Sequence, residues 1–316
     1  MTNPLQELRA HPQPRKLRVI ANPASGPGNV PVSALNQLFR SHGIPWDLHL
    51  THVPGDGARL ARQFLDDGVD LVAVFGGDGT VQDVADGMVG SDVPLLILPG
   101  GTGNLVAAAL HLPKEVETAA ALVTGPEFFS RRIDVGKMDH RHFLLRVGCG
   151  VEAWVLKDVK PDLKRQFGKW AYLIAAAHRL QEIPTAEYRI ILDDELTISG
   201  SGVGCTVANA GSTGLGGLDL APRVDISDGR LDVVFLRKAD VEGIASLVMM
   251  MAGLDEAWTD ATGLDASHLV GHWQARKIHI ETEPALEMQC DGDLAGSSPR
   301  TIEILPQALS VVVPSQ

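Results

Sequence analysis

Cysteine is scarce in this chain, positive charge is outweighed, and no apolar run is long enough to span a bilayer. The three cysteines, Cys149, Cys205 and Cys290, are odd in number and widely separated, with no Cys-x-x-Cys spacing. That pattern offers neither a disulfide framework nor a zinc cluster, and it fits a reducing cytoplasm. A formal net charge of −12 and a pI near 5.3 argue against nucleic acid as a partner, because such binding relies on a basic surface that displaces counterions. The longest apolar stretch, 244–254, contains Gly253, and residues 1–7 are polar with no h-region. The expectation is a protein neither secreted nor integral to a membrane. Also missing are the Gly-Lys-Ser/Thr of a Walker A loop, the dinucleotide Gly-x-Gly-x-x-Gly, the His-Glu-x-x-His of zinc proteases and, at Gly211-Ser212-Thr213, a nucleophile elbow. No solenoid repeat or low-complexity segment is visible.

What is present is organised. With 316 residues and 45% apolar content, the chain is long enough for two domains, each with its own core. After a proline-bearing stretch, 1–15, read as a loose tail, the first part alternates strand and helix. Strands are predicted at 17–21, 46–51, 69–75 and 93–98. Helices are predicted after Pro31, at 58–67 and at 81–89, with Gly43, Gly68 and Gly90 at their C-terminal ends. Such alternation predicts a parallel α/β sheet, whose ligands bind beyond the strand C-termini. After Ile133 the texture changes to short β-rich segments at 143–147, 188–192, 196–198, 202–208, 231–236 and 277–282, with helical insertions around 169–181 and 241–253. A mainly antiparallel second domain is expected there.

Gly76-Gly77-Asp78-Gly79-Thr80 joins the buried strand 69–75 to a helix. Glycines let a backbone approach an anion, and a helix N-terminus supplies free N–H groups and a positive dipole end, so the stretch reads as a phosphate cradle. Pro99-Gly100-Gly101-Thr102-Gly103-Asn104 repeats the arrangement after the next strand. Asn22-Pro23-Ala24-Ser25-Gly26 follows the first. Lacking a Walker lysine, these loops must neutralise a triphosphate through N–H groups, hydroxyls and a metal.

In this order the loops resemble the diacylglycerol kinase catalytic superfamily, which includes bacterial lipid kinases, sphingosine kinases and ceramide kinases. The likeness runs on through Asp134-Val135-Gly136, the segment from Gly148 to Ala153, Gly168-Lys169-Trp170, Gly216-Gly217 with Ala221-Pro222, Asp228-Gly229-Arg230 and Asp291-Gly292-Asp293. The resemblance implies an ATP-binding α/β domain over 16–133, to which a C-terminal strand at about 301–316 returns, and a β-sandwich lipid-substrate domain over 134–300. It implies that ATP contacts Asn22, Ser25, Gly26, Thr51, the loop Gly76, Gly77, Asp78, Gly79, Thr80, Val81 and Gln82, and then Gly101, Thr102 and Asn104. It further implies that Asp225, Asp228 and Arg230 mark a magnesium site, although a plain turn fits those residues as well.

Asp291 is the implied general base, accepting a lipid hydroxyl's proton, with Asp293 in a secondary role and Asp78 near the phosphates or their magnesium. Asp78 also suits an N-cap. The sequence departs from many relatives at Leu105-Val106-Ala107, Gln82-Asp83, Ser227 and Asp293. The reading is an ATP- and Mg2+-dependent lipid kinase of phospholipid metabolism acting on a diacylglycerol-like or sphingoid-like hydroxyl. An NAD kinase-like enzyme and a non-catalytic nucleotide or lipid sensor are the alternatives. Lys157, Lys160, Lys164, Arg165 and Lys169 form either a solvated helix face or a patch for transient docking on anionic membrane surfaces. The oligomeric state stays open, a homo-oligomer included.

Overall fold

The computed structural model describes residues 7–25, 29–153, 185–210, 224–237 and 269–315. Within the stretch expected to be a loose tail, β1 (Arg9–Pro12) instead forms a strand. Next come β2 (Leu17–Ala21), α1 (Val32–Ser41), β3 (Trp46–Leu50), α2 (Asp56–Asp66), β4 (Leu71–Gly76), α3 (Asp78–Met88) and β5 (Leu95–Pro99). The strands are parallel in the order β5-β4-β2-β3. Every residue of β4 is buried, as a continuous apolar strand requires when helices cover both faces.

The two faces divide by alternation. Val72, Val74, Leu95 and Ile97 pack with Leu60 and Phe64 of α2 and with Val84 and Met88 of α3. Leu71, Ala73, Phe75, Leu96 and Leu98 pack with Leu35 and Phe39 of α1. Helices α2 and α3 meet at Gly87, where a Cβ would lie 2.4 Å from the Ala58 carbonyl oxygen. Their close approach explains a glycine inside a helix, otherwise an unfavourable choice.

Two short helices, α4 (Leu105–Ala109) and α5 (Val116–Ala120), lead to the long strand β6 (Glu127–Met138). The β-rich part follows as β7 (Arg141–Phe143), β8 (Arg146–Gly150), β9 (Ala186–Leu192), β10 (Leu196–Ala208), β11 (Leu231–Arg237), β12 (Val270–Ala275), β13 (Lys277–Glu283), β14 (Glu287–Cys290), β15 (Asp293–Ser297) and β16 (Arg300–Val313). Strand β10 pairs antiparallel with β9 early, with β8 late and with β11 along its second half. The two segments expected at 196–198 and 202–208 are therefore one strand. It changes register at Gly202, where a Cβ would strike the Phe235 ring at 2.3 Å. Phe143, Val147, Tyr188, Cys205, Phe235, Ile278, Met288 and Ile302 form the core of this β-sandwich-like part.

Strand β6 runs through the expected boundary at residues 133 and 134 and pairs with β16 from Ile302 to Val313, and with β1 near its start. Strand β16 in turn pairs with β13 at its beginning and, in parallel, with β5 at Val311. The helical insertions expected at 169–181 and 241–253, and the basic patch from Lys157 to Lys169, lie outside the described residues. No described helix is long and apolar enough to cross a membrane.

Replacing Gly87 by Ala forces a methyl against backbone, so α2 and α3 must separate. The expected loss is about 1–3 kcal/mol, checked by urea unfolding monitored by circular dichroism. Unchanged stability would mean that the helices do not meet at this point.

Candidate active site

The loops after β2, β3, β4 and β5 are tied together by backbone hydrogen bonds: Asn22 N–H to the Phe75 carbonyl, Thr51 N–H to that of Ala21, and Gly100 N–H to that of Gly76. Each bond extends the parallel ladder by one residue and aligns the strand ends. Asn22 Oδ1 accepts the Ala24 N–H at 2.9 Å, a local turn that asparagine side chains favour. Its amide nitrogen donates to Thr80 Oγ1 at 3.2 Å, and Ser25 Oγ lies 3.3 Å from the same hydroxyl. Thr80 is thereby the knot between the first and third loops. Gly76 has no alternative there, since a Cβ would lie 2.6 Å from Thr80 Cβ. A Cβ on Gly101 would lie 2.5 Å from Gly77 Cα, so the two glycine loops touch backbone to backbone.

Helix α3 begins at Asp78, three residues before the expected Val81, with Gly77 in the N-cap position and no side-chain cap. Asp78 is thus not the N-cap of its own helix. Instead its Oδ1 accepts the Val106 N–H at 3.0 Å and caps α4. Asn104, at φ 49, folds its amide back on Gly101, accepting its N–H and donating to its carbonyl, both at 2.9 Å. That leaves Thr102 exposed at the loop tip. Val81 buries its side chain and can offer only backbone.

A cleft of about 740 Å³ opens beside these loops. Asn22, Ser25, Thr51, Gly77, Gly79, Thr80 and Gln82 line it from one side, and Cys290, Asp291 and Asp293 from the other. Gly76, Asp78, Val81, Gly101, Thr102 and Asn104 do not line it, and Gly26 lies outside the described residues. Asp291 and Gly292 are the two-residue turn between β14 and β15, with φ 47 and 93. Two successive positive φ angles are what a tight hairpin asks of Asp-Gly. The left-handed residue turns its carboxylate onto the chain entering β8. Oδ2 accepts the Leu144 N–H at 2.8 Å, and Oδ1 accepts those of Leu145 and Arg146 at 3.0 and 2.8 Å. Burial raises this carboxyl to about 6, the three N–H groups oppose the rise, and the Asp78 charge adds to it.

Residues 16–138 match the family model described as the diacylglycerol kinase catalytic domain, and residues 146–313 that of the YegS C-terminal NAD kinase beta sandwich-like domain. The chain belongs to the diacylglycerol kinase catalytic family of lipid kinases. This kinase is 27% identical over 309 residues to the diacylglycerol kinase of Bacillus subtilis, an alignment covering 96% of this chain and 97% of the relative. It is 29% identical to a probable lipid kinase YegS-like of Pseudomonas fluorescens, covering 90% and 91%. A crystal structure of a diacylglycerol kinase from Bacillus anthracis superimposes with a TM-score of 0.69 at 25% identity, covering 96% of this chain and 98% of that one.

The kinase's cleft also holds residues that the sequence did not single out. His140, Arg141 and His142, from the turn into β7, line it together with His52 and Asp86. Gln82 Nε2 donates to the His142 carbonyl at 2.7 Å, and His142 Nδ1 donates to Asp86 Oδ1 at 2.7 Å, bolting β7 to α3. The available signal was a short cluster of basic side chains at a predicted strand start, but its partners lie on α3 and emerge only from the fold. Asp225, Asp228 and Arg230 do not line the cleft. Asp225 accepts from the Ser227 N–H and hydroxyl, and Asp228 accepts from the Arg230 N–H, so the segment is a well-bonded turn. Among the described residues, no group of three or more His, Cys, Asp or Glu side chains is arranged around one metal position. The carboxylates nevertheless crowd: burial raises Asp228, and Asp232 and Asp225 raise it further.

Because the carboxyl of Asp291 is raised in the folded state, the native protein holds this proton more tightly than the unfolded chain does. The contribution to stability is complete below about pH 4 and is lost as pH rises through about 6. Wild type and Asp291→Asn should therefore differ in urea stability by an amount that changes between pH 4 and 7 and is flat above. A constant difference across that range would show an ordinary carboxyl.

Proposed function

We propose that this lipid kinase uses ATP with Mg2+ and transfers the γ-phosphoryl group to a hydroxyl of a diacylglycerol-like or sphingoid-like lipid, with Asp291 as general base. The observation that carries this reading is that Asp291, its carboxylate held by three backbone N–H groups, lines the same cleft as Gly77, Gly79 and Thr80. The lipid O–H gives its proton to Asp291 as its oxygen bonds to the γ-phosphorus. The bond from phosphorus to the β,γ-bridging oxygen breaks, and ADP leaves. Preorganised N–H groups at the start of α3 stabilise the phosphate charge without reorganising.

The charge of the cleft favours a metal. Asp83, Asp86, Asp291 and Asp293 line it, against Arg141 as its permanently charged cation among the described residues. Asp83 is engaged by the Gly57 N–H and Asp86 by Arg62. A triphosphate entering there meets carboxylates of its own sign, and their oxygens are the ligands a hard cation takes. Magnesium, when bound, neutralises phosphate charge. Asp293 and the loop hydroxyls of Ser25, Thr51 and Thr80, all lining the cleft, would hold it and the nucleotide, with Asp78 behind the loop adding its charge. Asp225 and Asp228, where carboxylates crowd, with the backbone carbonyl of Arg230, are the proposed second metal site.

Asp291→Asn should lower transfer of label from γ-labelled ATP into total lipid extract by about a hundredfold to ten-thousandfold, with ATP affinity within about threefold of wild type. Wild-type transfer should fall about tenfold per pH unit below pH 6, since a protonated Asp291 cannot accept the hydroxyl's proton. Mass spectrometry of the labelled product identifies the acceptor. Label appearing only in an added NAD pool would overturn the lipid reading.

A further inference from the structure

A buried polar cluster beneath the Asp291 turn has no part in the chemistry above. Glu152, just after β8, is 8% exposed, and Gln289 of β14 is 3% exposed. Glu152 Oε1 accepts the Thr206 hydroxyl at 2.6 Å, and its Oε2 accepts Gln289 Nε2 at 2.7 Å. Gln289 Oε1 in turn accepts the Gly292 N–H at 2.8 Å. Room for the carboxylate is made by Gly148, where a Cβ would lie 2.2 Å from Glu152 Oε2. Arg146 joins both ends: its Nε lies 3.6 Å from Glu152 Oε2, while its N–H donates to Asp291.

We infer that Glu152 is a positioning residue for phosphoryl transfer, fixing the Gln289 amide so that it clamps Gly292 and holds the Asp291 carboxylate on the N–H groups of Leu144, Leu145 and Arg146. The inference rests on the reading of Asp291 as the base. An ionised carboxylate is acceptor-only, so it sets which end of a neighbouring amide faces it. With Glu152 in place the Gln289 nitrogen is spoken for, and its oxygen is left to Gly292. The turn it clamps carries Asp291 itself at φ 47, so fixing Gly292 fixes the direction in which the Asp291 side chain leaves the backbone. Stability alone does not account for the cluster, because a buried ion pair is often replaceable by apolar side chains at no loss. Placement of a reacting carboxylate does account for it, since a displacement of about 1 Å can cost about a hundredfold in rate.

The test measures transfer from γ-labelled ATP into total lipid extract, at saturating ATP, for Glu152→Leu, Glu152→Gln and Gln289→Leu, each alone and combined with Asp291→Asn. In the otherwise wild-type chain the two leucine variants should lose about tenfold to a hundredfold in maximal rate, with the KM for ATP within about threefold. Glu152→Gln, which keeps the shape and one acceptor, should lose less. In the Asp291→Asn background each substitution should change the residual rate by less than about twofold, because a residue acting through Asp291 has nothing left to position. Equal losses in both backgrounds, or full activity of Gln289→Leu, would overturn the inference. Wild-type activity of Asp291→Asn by itself would remove the base assignment, and this inference with it. Melting curves accompany each variant, and Glu152→Gln carries the test if the leucine variants do not fold.

Discussion

The pairing of β6 with β16 is the constraint on which the rest depends. Both strands are longer than the usual five or six residues, and each belongs to the antiparallel part at one end and abuts the α/β part at the other. Strand β16 bonds to β13 near Ile302 and to β5 at Val311, so the three hydrophobic clusters are laid along one ladder. Asp134 pins this ladder where its register shifts. One oxygen accepts the Gln307 N–H and the other that of Gly229, although burial raises its carboxyl. A buried carboxylate is costly unless its oxygens are bonded, and here the bonds bring together β6, β16 and the turn at Gly229.

From that frame the cleft acquires its two walls. One wall is made of strand ends in a parallel sheet, where successive loops fall side by side because the strands share a direction. The other is a hairpin turn of the antiparallel part. Neither wall is complete alone: the phosphate-type loops contribute N–H groups and hydroxyls, while the turn contributes the carboxylate. Gln82 and His142 hold the walls together through a side-chain to backbone bond and the His142–Asp86 contact.

At Asp291 two opposing effects are resolved by geometry. Desolvation pushes the carboxyl up, three N–H groups pull it down, and the net position near 6 lies where a proton acceptor is both ionised and basic at neutral pH. A freely exposed aspartate would be ionised but a weaker base. A buried one without N–H partners would be protonated.

Much was legible in the residues. The apolar run 69–75 reads as a buried parallel strand because nearly every position of such a strand must be apolar, and β4 is buried throughout. Less was legible where the partner is distant in sequence. The pairing of β1 with β6, the unity of β10, the service of Asp78 to α4, and the approach of His140, Arg141 and His142 to α3 all depend on contacts across many residues that no local propensity encodes. The sequence by itself determined the elements, the close-approach glycines and the chemical types at the loops, since these follow from sterics and burial near each residue. Only the tertiary structure decided that a carboxylate from the last hairpin meets the loops of the first sheet, and that its acidity is set near neutrality, because desolvation and hydrogen bonding are properties of the assembled surroundings.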